Sequence, residues 1–333
     1  MPRRSVHVAV LVPVDPERPM PPPERRPVGR AALRLRRRGV VAVFGDRFEN
    51  GELVGVTAKP GRWEAGRWPV VAVHDRYPSQ RRAARFAELR NAAATLPWGN
   101  PPALTLLCRD KLECQRQLAA RGVEALPPVA DGSDPLEAIL GEWRVGFLKP
   151  RYGALGVGVR RVVAGDALPR ALPSVVPGKE DPVILQRAVP PGDQWAGRSV
   201  RALCQRLPDG DWHRCPPVLR RSVTDPVVNA ARGAELVPAE DALSVDVMNH
   251  IGSLCEDACR ALAEVPGCTD ALELGVDLVL DGGDRPWIVE VNSRPRGRLE
   301  ALAQLDPRRF EAEHVDACAR PLLTLAAWAR QRG

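Results

Sequence analysis

The sequence predicts an α/β protein in two parts, an amino-terminal α/β domain over 1–100 and a larger α+β region over 101–333. Three observations carry this reading. Apolar runs of strand length alternate with helical stretches between residues 6 and 96. A Pro/Gly cluster, Pro97-Trp98-Gly99-Asn100-Pro101-Pro102, then interrupts the chain, and beyond residue 105 the strand signals become hairpins, the sharpest between Glu273 and Asn292. A chain of 333 residues can bury a full core without disulfides or metal.

Val6 to Val14 reads as a buried first strand. Met1-Pro-Arg-Arg and this run resemble the front of a signal peptide, but Asp15-Pro-Glu-Arg stands where a small-residue cleavage site belongs. A proline-rich crossing (Pro16 to Pro27), an arginine-rich helix (Gly29 to Arg38) and a strand (Gly39 to Phe44) follow. Next come a hairpin-like stretch around Glu52 to Trp63, a strand from Pro69 to His74 and a basic helix from Gln80 to Leu96. After the Pro/Gly cluster, Asp110-Lys111-Leu112-Glu113 predicts a capped helix start, and Gly122 its end. Val145 to Pro150 predicts a strand entering the glycine-rich turn Tyr152–Gly158, with a returning strand over Val159 to Val163. Val183 to Ala188 and Ser199 to Arg206 predict two more strands, followed by a loop-rich stretch to about Pro238. Asn249 to Leu262 has apolar residues at helical spacing until Pro266-Gly267.

The apolar (44%) and charged (27%) fractions are those of an ordinary globular protein, and no run approaches the length of a membrane span. Basic residues outnumber acidic ones 48 to 41, a formal charge of +7, which favours anionic ligands only weakly because the signs are mixed. Only Lys59, Lys111, Lys149 and Lys179 are lysines, so a lysine at a special place is informative. Eight scattered cysteines without a C-x-x-C pair predict reduced, cytoplasmic thiols. Cys255 and Cys259, with His250 nearby, have zinc-like spacing but fall on the apolar stripe of their helix, so core packing is expected. The arginines of 30–38 and 81–90 are not interleaved with stacking aromatics, so solvated helix faces are expected rather than a nucleic-acid interface.

The chemistry concentrates in the last hairpin. Leu274, Val276, Leu278 and Leu280 alternate with Gly275, Asp277 and Val279 before the turn Gly282-Gly283. A turn centred there sets Asp277 opposite Ile288 and diagonal to Glu290, and places Ile288, Glu290 and Asn292 on one face with Asp277. Two carboxylates and an amide oxygen on one face suit Mg²⁺, which takes its remaining ligands from water and substrate phosphates. A solvated sheet face has the same pattern, and the hairpin alone does not choose.

The ordered series Asp110-Lys111, Lys149-Pro150 with Gly153, Gly156 and Gly158, Gln186, Arg201, Asn229, then Asp277, Glu290 and Asn292 resembles the ATP-grasp ligase superfamily. Thirteen residues between the carboxylates and two from Glu290 to Asn292 are similar to D-alanine–D-alanine ligase, glutathione synthetase and RimK-type enzymes. The likeness is strongest to the YheC/YheD branch, associated with the endospore coat. It runs through His74-Asp75-Arg76, Ser199-Val-Arg-Ala-Leu-Cys-Gln205, Glu273-Leu-Gly-Val-Asp277 and Trp287-Ile-Val-Glu-Val-Asn-Ser293, and covers most of residues 70 to 300.

The resemblance implies a pre-ATP-grasp domain over 1–100 and an ATP-grasp domain over 101–333, with a lid-like part about 105–190 and a carboxy-terminal part about 191–333. It implies a ligase that joins a small-molecule or peptide carboxylate to an amine through an acyl phosphate, releasing ADP and phosphate, with ATP and one or two Mg²⁺ as cofactors. Lys111, Lys149 and the glycines would hold phosphates, Gln186 would lie by the adenine, Asn229 and Gly233 by phosphate and metal, and Asp277, Glu290 and Asn292 would hold the metal. Arg201 and either Arg220 or Arg221 would stabilise the acyl phosphate. Two departures stand out: Ser199 replaces the acid that usually precedes the arginine, and Ala154 replaces a frequent serine. They fit a competing reading, a non-catalytic nucleotide-binding protein of a spore coat or other assembly. A basic nucleic-acid-binding module is the third reading, and a homo-oligomer is compatible with all three.

Overall fold

The computed structural model describes residues 5–14, 20–78, 82–153, 156–174, 178–228, 233–295 and 299–332. The first sheet contains β1 (Val6–Leu11), β2 (Val40–Glu49), β3 (Glu52–Lys59), β4 (Arg62–Trp68), β5 (Ala72–Asp75) and β6 (Trp98–Gly99), in the order β4-β3-β2-β1-β5-β6. The β2-β1-β5-β6 half is parallel, so its strands need crossovers. Helix α1 (Pro27–Arg37) supplies one, burying Ala31, Ala32 and Leu35 while Arg34, Arg36 and Arg37 crowd its carboxy-terminal end, where the helix dipole favours cations. Helix α2 (Ala83–Ala92) packs on the opposite face through Leu89. Strand β2 outruns its expected end at Phe44 because Asn50 and Gly51, both at positive φ, close a tight hairpin onto β3.

Two short helices, α3 (Pro102–Arg109) and α4 (Lys111–Ala120), lead into the second sheet. Asp110 caps α4 by accepting a hydrogen bond from Glu113 N at 3.2 Å, as its sequence predicts. The second sheet comprises β7 (Val129–Asp131), β8 (Val145–Pro150), β9 (Arg160–Val163), β10 (Ala171–Pro173) and β11 (Glu180–Arg187), with β11 at its centre against β8, β10 and β7. Helix α5 (Leu136–Trp143) seals one face with Leu136 and Leu140 over Leu148, Val183 and Leu185.

The third sheet runs β15-β14-β12-β16-β17, from β12 (Gly197–Arg206), β14 (Val218–Ser222), β15 (Glu235–Pro238), β16 (Glu273–Leu280) and β17 (Pro286–Asn292), with β13 (Trp212–Arg214) on β12. The stretch expected to be loop-rich therefore holds three strands. They are short, and β14 reads Val-Leu-Arg-Arg-Ser, too polar to signal a strand. After a short turn, α6 (Ala239–Ala242), helix α7 (Val245–Ala263) lies under this sheet. Cys255 and Cys259 are buried in that core, and all eight cysteines are free. Helices α8 (Leu299–Leu305) and α9 (Pro307–Arg332) follow, and α9 returns to the first sheet, placing Val315, Leu322, Leu325 and Trp328 in one core with Val8, Val10, Leu35 and Phe44. No helix of the described residues is long and apolar enough to cross a membrane.

The register of the last hairpin differs from the expected one. Asp277 pairs directly with Glu290 and Leu278 with Ile288, so Val289 is an extra residue, a β-bulge. The bulge reverses the inside-outside alternation of β17. Ile288 and Val291 both enter the core, while Trp287, Glu290 and Asn292 face the cleft. Ile288 thus leaves the face on which regular alternation had placed it, and the two carboxylates come opposite each other rather than diagonal.

Candidate active site

A cleft of about 1500 Å³ opens between the second and third sheets, lined by residues of both and by Arg76 to Pro78, the segment that follows β5. On its floor Asp277, only 8% exposed, is bound from both sides. Arg201 Nε donates to Oδ1 at 2.6 Å, Arg220 Nη2 donates to the same oxygen at 2.8 Å, and Asn292 Nδ2 donates to Oδ2 at 3.0 Å. The ladder explains the meeting: Arg201 pairs with Asp277 across β12 and β16, and Arg220 sits one strand further on β14. Gly275, beside Asp277, is required here. A Cβ on it would lie 3.1 Å from Arg201 Nη1 and 2.7 Å from Pro295 Cβ, displacing the guanidinium. Burial alone would lower the Arg201 guanidinium, but the Asp277 carboxylate outweighs it and lifts it above its usual range.

Glu290 is left differently, with 30% of its side chain exposed and Lys111 Nζ, at 3.9 Å, its nearest cation among the described residues. Lys111 begins α4, and its ammonium also donates to the carbonyl of Gly153 in the glycine-rich turn. Lys149 on β8 is half-buried and donates to Gln186 Oε1, and Gln186 Nε2 in turn donates to Gln115 Oε1 at 3.3 Å. Burial drives Lys149 down to about 8, a shift that Glu290 and Asp277 partly oppose. Asp110, whose burial is outweighed by a bidentate pair with Arg151 at 2.8 and 2.6 Å, stays below the usual carboxylate range and fixes the turn to α4.

Most residues expected at the site thus converge: Lys111, Lys149, Gly153, Gly156, Gln186, Arg201, Arg220, Asp277, Glu290 and Asn292 all line the cleft. Gln186 does so with its amide oxygen taken by Lys149, not held out toward a base. Gly158, at φ 73°, packs on Pro150 beside the cleft. The choice between Arg220 and Arg221 falls on Arg220. One residue along the strand, Arg221 leaves the cleft, pairs with Glu235 at 2.6 and 2.9 Å and stacks over Trp195. Asn229 and Ala154 lie outside the described residues. Ser199, where an acid was expected, is buried on the cleft wall, its hydroxyl without a hydrogen-bond partner among the described residues.

Sequence reasoning missed the support beneath the floor. Glu273 is buried and accepts from Arg76, from His74 Nε2 at 3.1 Å and from Gln205 Nε2 at 3.2 Å. Burial would raise this carboxyl, yet the charges and hydrogen bonds of Arg76 and His74 hold it at about 2. Asn100 ties the sheets together, accepting from Glu273 N at 3.0 Å and donating to Glu273 O at 2.6 Å. A glutamate at the head of a buried strand whose only other charged residue is Asp277 was the available signal.

Two lysines, one at the head of α4 and one on the second sheet, set against a carboxylate pair and two arginines on the third sheet, are the plan of the ATP-grasp ligases, enzymes that use ATP and release ADP. The chain belongs to the YheC/D-like ATP-grasp family, whose model, described as YheC/D like ATP-grasp, matches residues 102–313. Among solved structures it is similar to the D-alanine-D-alanine ligase from Coxiella burnetii, at 12% identity and TM-score 0.57, covering 99% of this chain and 96% of that one. It is similar to D-alanyl-alanine synthetase A from Vibrio cholerae at 13% identity and TM-score 0.54, covering 96% and 98%. It is also similar to the ATP-grasp ligase PsnB, solved with a minimal precursor, at 18% identity and TM-score 0.56, covering 97% and 99%. These likenesses concern the fold. No curated protein matches the chain in sequence.

Proposed function

We propose that this protein joins a carboxylate to an amine through an acyl phosphate. A carboxylate oxygen of the acyl substrate attacks the γ-phosphorus of ATP, the bond to the β-phosphate oxygen breaks, and ADP leaves. The amine nitrogen then attacks the acyl carbon and phosphate departs. The observation that carries this reading is the bulged hairpin, which sets Asp277 opposite Glu290 on the cleft floor with Lys111 and Lys149 close by.

The residues fit a hard divalent cation: among the described residues Glu290 has no cation nearer than 3.9 Å, and Asn292, whose Nδ2 is turned to Asp277, keeps its amide oxygen as a donor. Asp277, Glu290 and Asn292 would hold Mg²⁺, which neutralises charge on the transferring phosphoryl group. Lys111 and Lys149 fix the phosphates, and the backbone of the glycine-rich turn approaches them closely because it lacks side chains. Arg201 and Arg220 do two things. They hold Asp277 in place, and their remaining N–H groups face the charge that develops during transfer. Arg220 Nε is buried without a partner among the described residues, a donor awaiting an oxygen.

The test is thermal unfolding and ADP release with wild type and Glu290→Gln. Mg²⁺ with a non-hydrolysable ATP analogue at about a hundred times its Kd stabilises the fold by about 2.7 kcal/mol. The variant is expected to lose the Mg²⁺-dependent part of that shift and all ADP release. A variant that turns over like wild type overturns the assignment.

A further inference from the structure

Cationic side chains outnumber carboxylates eleven to three in the cleft lining, more than Mg²⁺-bound nucleotide calls for. Part of the excess is concentrated at one end. Strand β17 carries Trp287, Glu290 and, as its last residue, Asn292, and Arg294 follows two residues beyond its end. There Arg294 meets Arg76, from the end of β5, and Arg109, from the last turn of α3. Arg76 Nη1 donates to Pro295 O at 2.8 Å and Arg294 donates to Tyr77 O, so the two segments hold each other and their guanidinia are fixed in place. Arg109 is exposed and makes no hydrogen bond or ion pair with any described residue. Thr105 and Ser293 line the same end, their hydroxyls 3.4 Å apart.

The carboxylates near these arginines lie beneath the cleft, not in it. Glu273 is 3% exposed and Asp75 1%, and neither lines the cavity. Arg294 lies 3.8 Å from Asp75 and Arg76 pairs with Glu273, so two buried carboxylates face three guanidinia; burial, with the charges of Arg76 and Arg109, pushes the Arg294 guanidinium below its usual range although Asp75 opposes it.

Resting on the ligase reading above, we propose that Arg76, Arg109 and Arg294 form a subsite for a second anionic group of the acyl substrate, apart from the carboxylate that is phosphorylated. The substrate is then a dicarboxylate, an acidic peptide or a phosphorylated carboxylic acid, bound at one end by the reacting centre and at the other by the arginines. Guanidinium forks suit carboxylate and phosphate alike.

The test is titration calorimetry on the full chain with Mg²⁺ and ADP present. The probes are α,ω-dicarboxylates from glutarate to suberate, the monocarboxylates of equal length, and the ω-phosphono carboxylates. At the best length a dianion is expected to bind at least tenfold more tightly than its monoanionic match. Whether carboxylate or phosphonate wins identifies the anion. Arg109→Ala is expected to bring the ratio near one and Arg109→Lys to keep most of it, and because Arg109 has no partner among the described residues both variants should fold. A ratio near one at every length, a ratio that survives in Arg109→Ala, or no binding of any dianion at millimolar concentration overturns the subsite. The nucleotide-induced unfolding shift and its loss in Glu290→Gln are read on the same preparations, so failure of the ligase reading shows separately.

Discussion

Replacing Asp277 by asparagine separates the two jobs that its carboxylate does. The side chain keeps its size, but two guanidinia lose their counter-charge, Arg220 at 8% and Arg201 at 17% exposure. Breaking a buried ion pair from one side costs about 3–5 kcal/mol, because the remaining charge stays out of water. At about 2.1 cal/mol/K per residue, the 333 residues have an unfolding entropy of about 0.7 kcal/mol/K if they unfold together, so Tm should fall by about 4–7 °C. Glu290→Gln provides the contrast. That carboxylate is 30% exposed, its nearest cation among the described residues is 3.9 Å away, and such pairs are worth about 0–1 kcal/mol. Both variants should be inactive, but only Asp277→Asn should melt early in the absence of nucleotide. Scanning calorimetry without ligand is the assay. If the two variants melt together within about 1 °C, Asp277 is not the hub that holds the arginines.

Three further outcomes are expected. Lys149 titrates near 8 in the free protein, and bound phosphates favour its ammonium, so nucleotide affinity should be level below pH 8 and weaken up to about tenfold per unit above it; a flat profile of Kd from pH 7 to 9.5 refutes this. Glu273, held at about 2 when folded and near the usual 4.5 when unfolded, contributes about 3 kcal/mol above pH 4.5, and this is lost as pH falls toward 2. The Tm of wild type should therefore drop more steeply between pH 5 and 2.5 than that of Glu273→Gln. Arg220→Ala should cut ADP release by roughly 10²–10³, as loss of a charge-stabilising donor does, whereas Arg221→Ala should leave it unchanged in a steady-state assay.

The last hairpin was legible because its period-two alternation and Gly-Gly turn are local signals. Its bulge was not, since one surplus residue, Val289, leaves no mark in the pattern while moving Ile288 off the face that Glu290 keeps. The same limit separated Arg220 from Arg221: adjacent residues on a strand face opposite ways, and β14 was too short and polar to give its phase. Lys111 and Lys149 stood out because lysine is scarce here. Arg76, Arg109 and Arg294 did not, because arginine is common throughout the chain and nothing local marks three distant arginines as neighbours. Glu273 and His74 are 199 positions apart, and only folding shows that they meet.

The return of α9 to the first sheet bears on how the chain is made. Strands β1 and β2 leave the ribosome long before α9, and the face that receives Val315, Leu322, Leu325 and Trp328 stays uncovered until that helix has been synthesised. At about 5–20 residues per second that interval is on the order of tens of seconds, during which the nascent chain presents Val8, Val10 and Phe44 to its surroundings. The first sheet is therefore translated well before the helix that completes its core, and a chaperone bound there during synthesis would have to be displaced by α9.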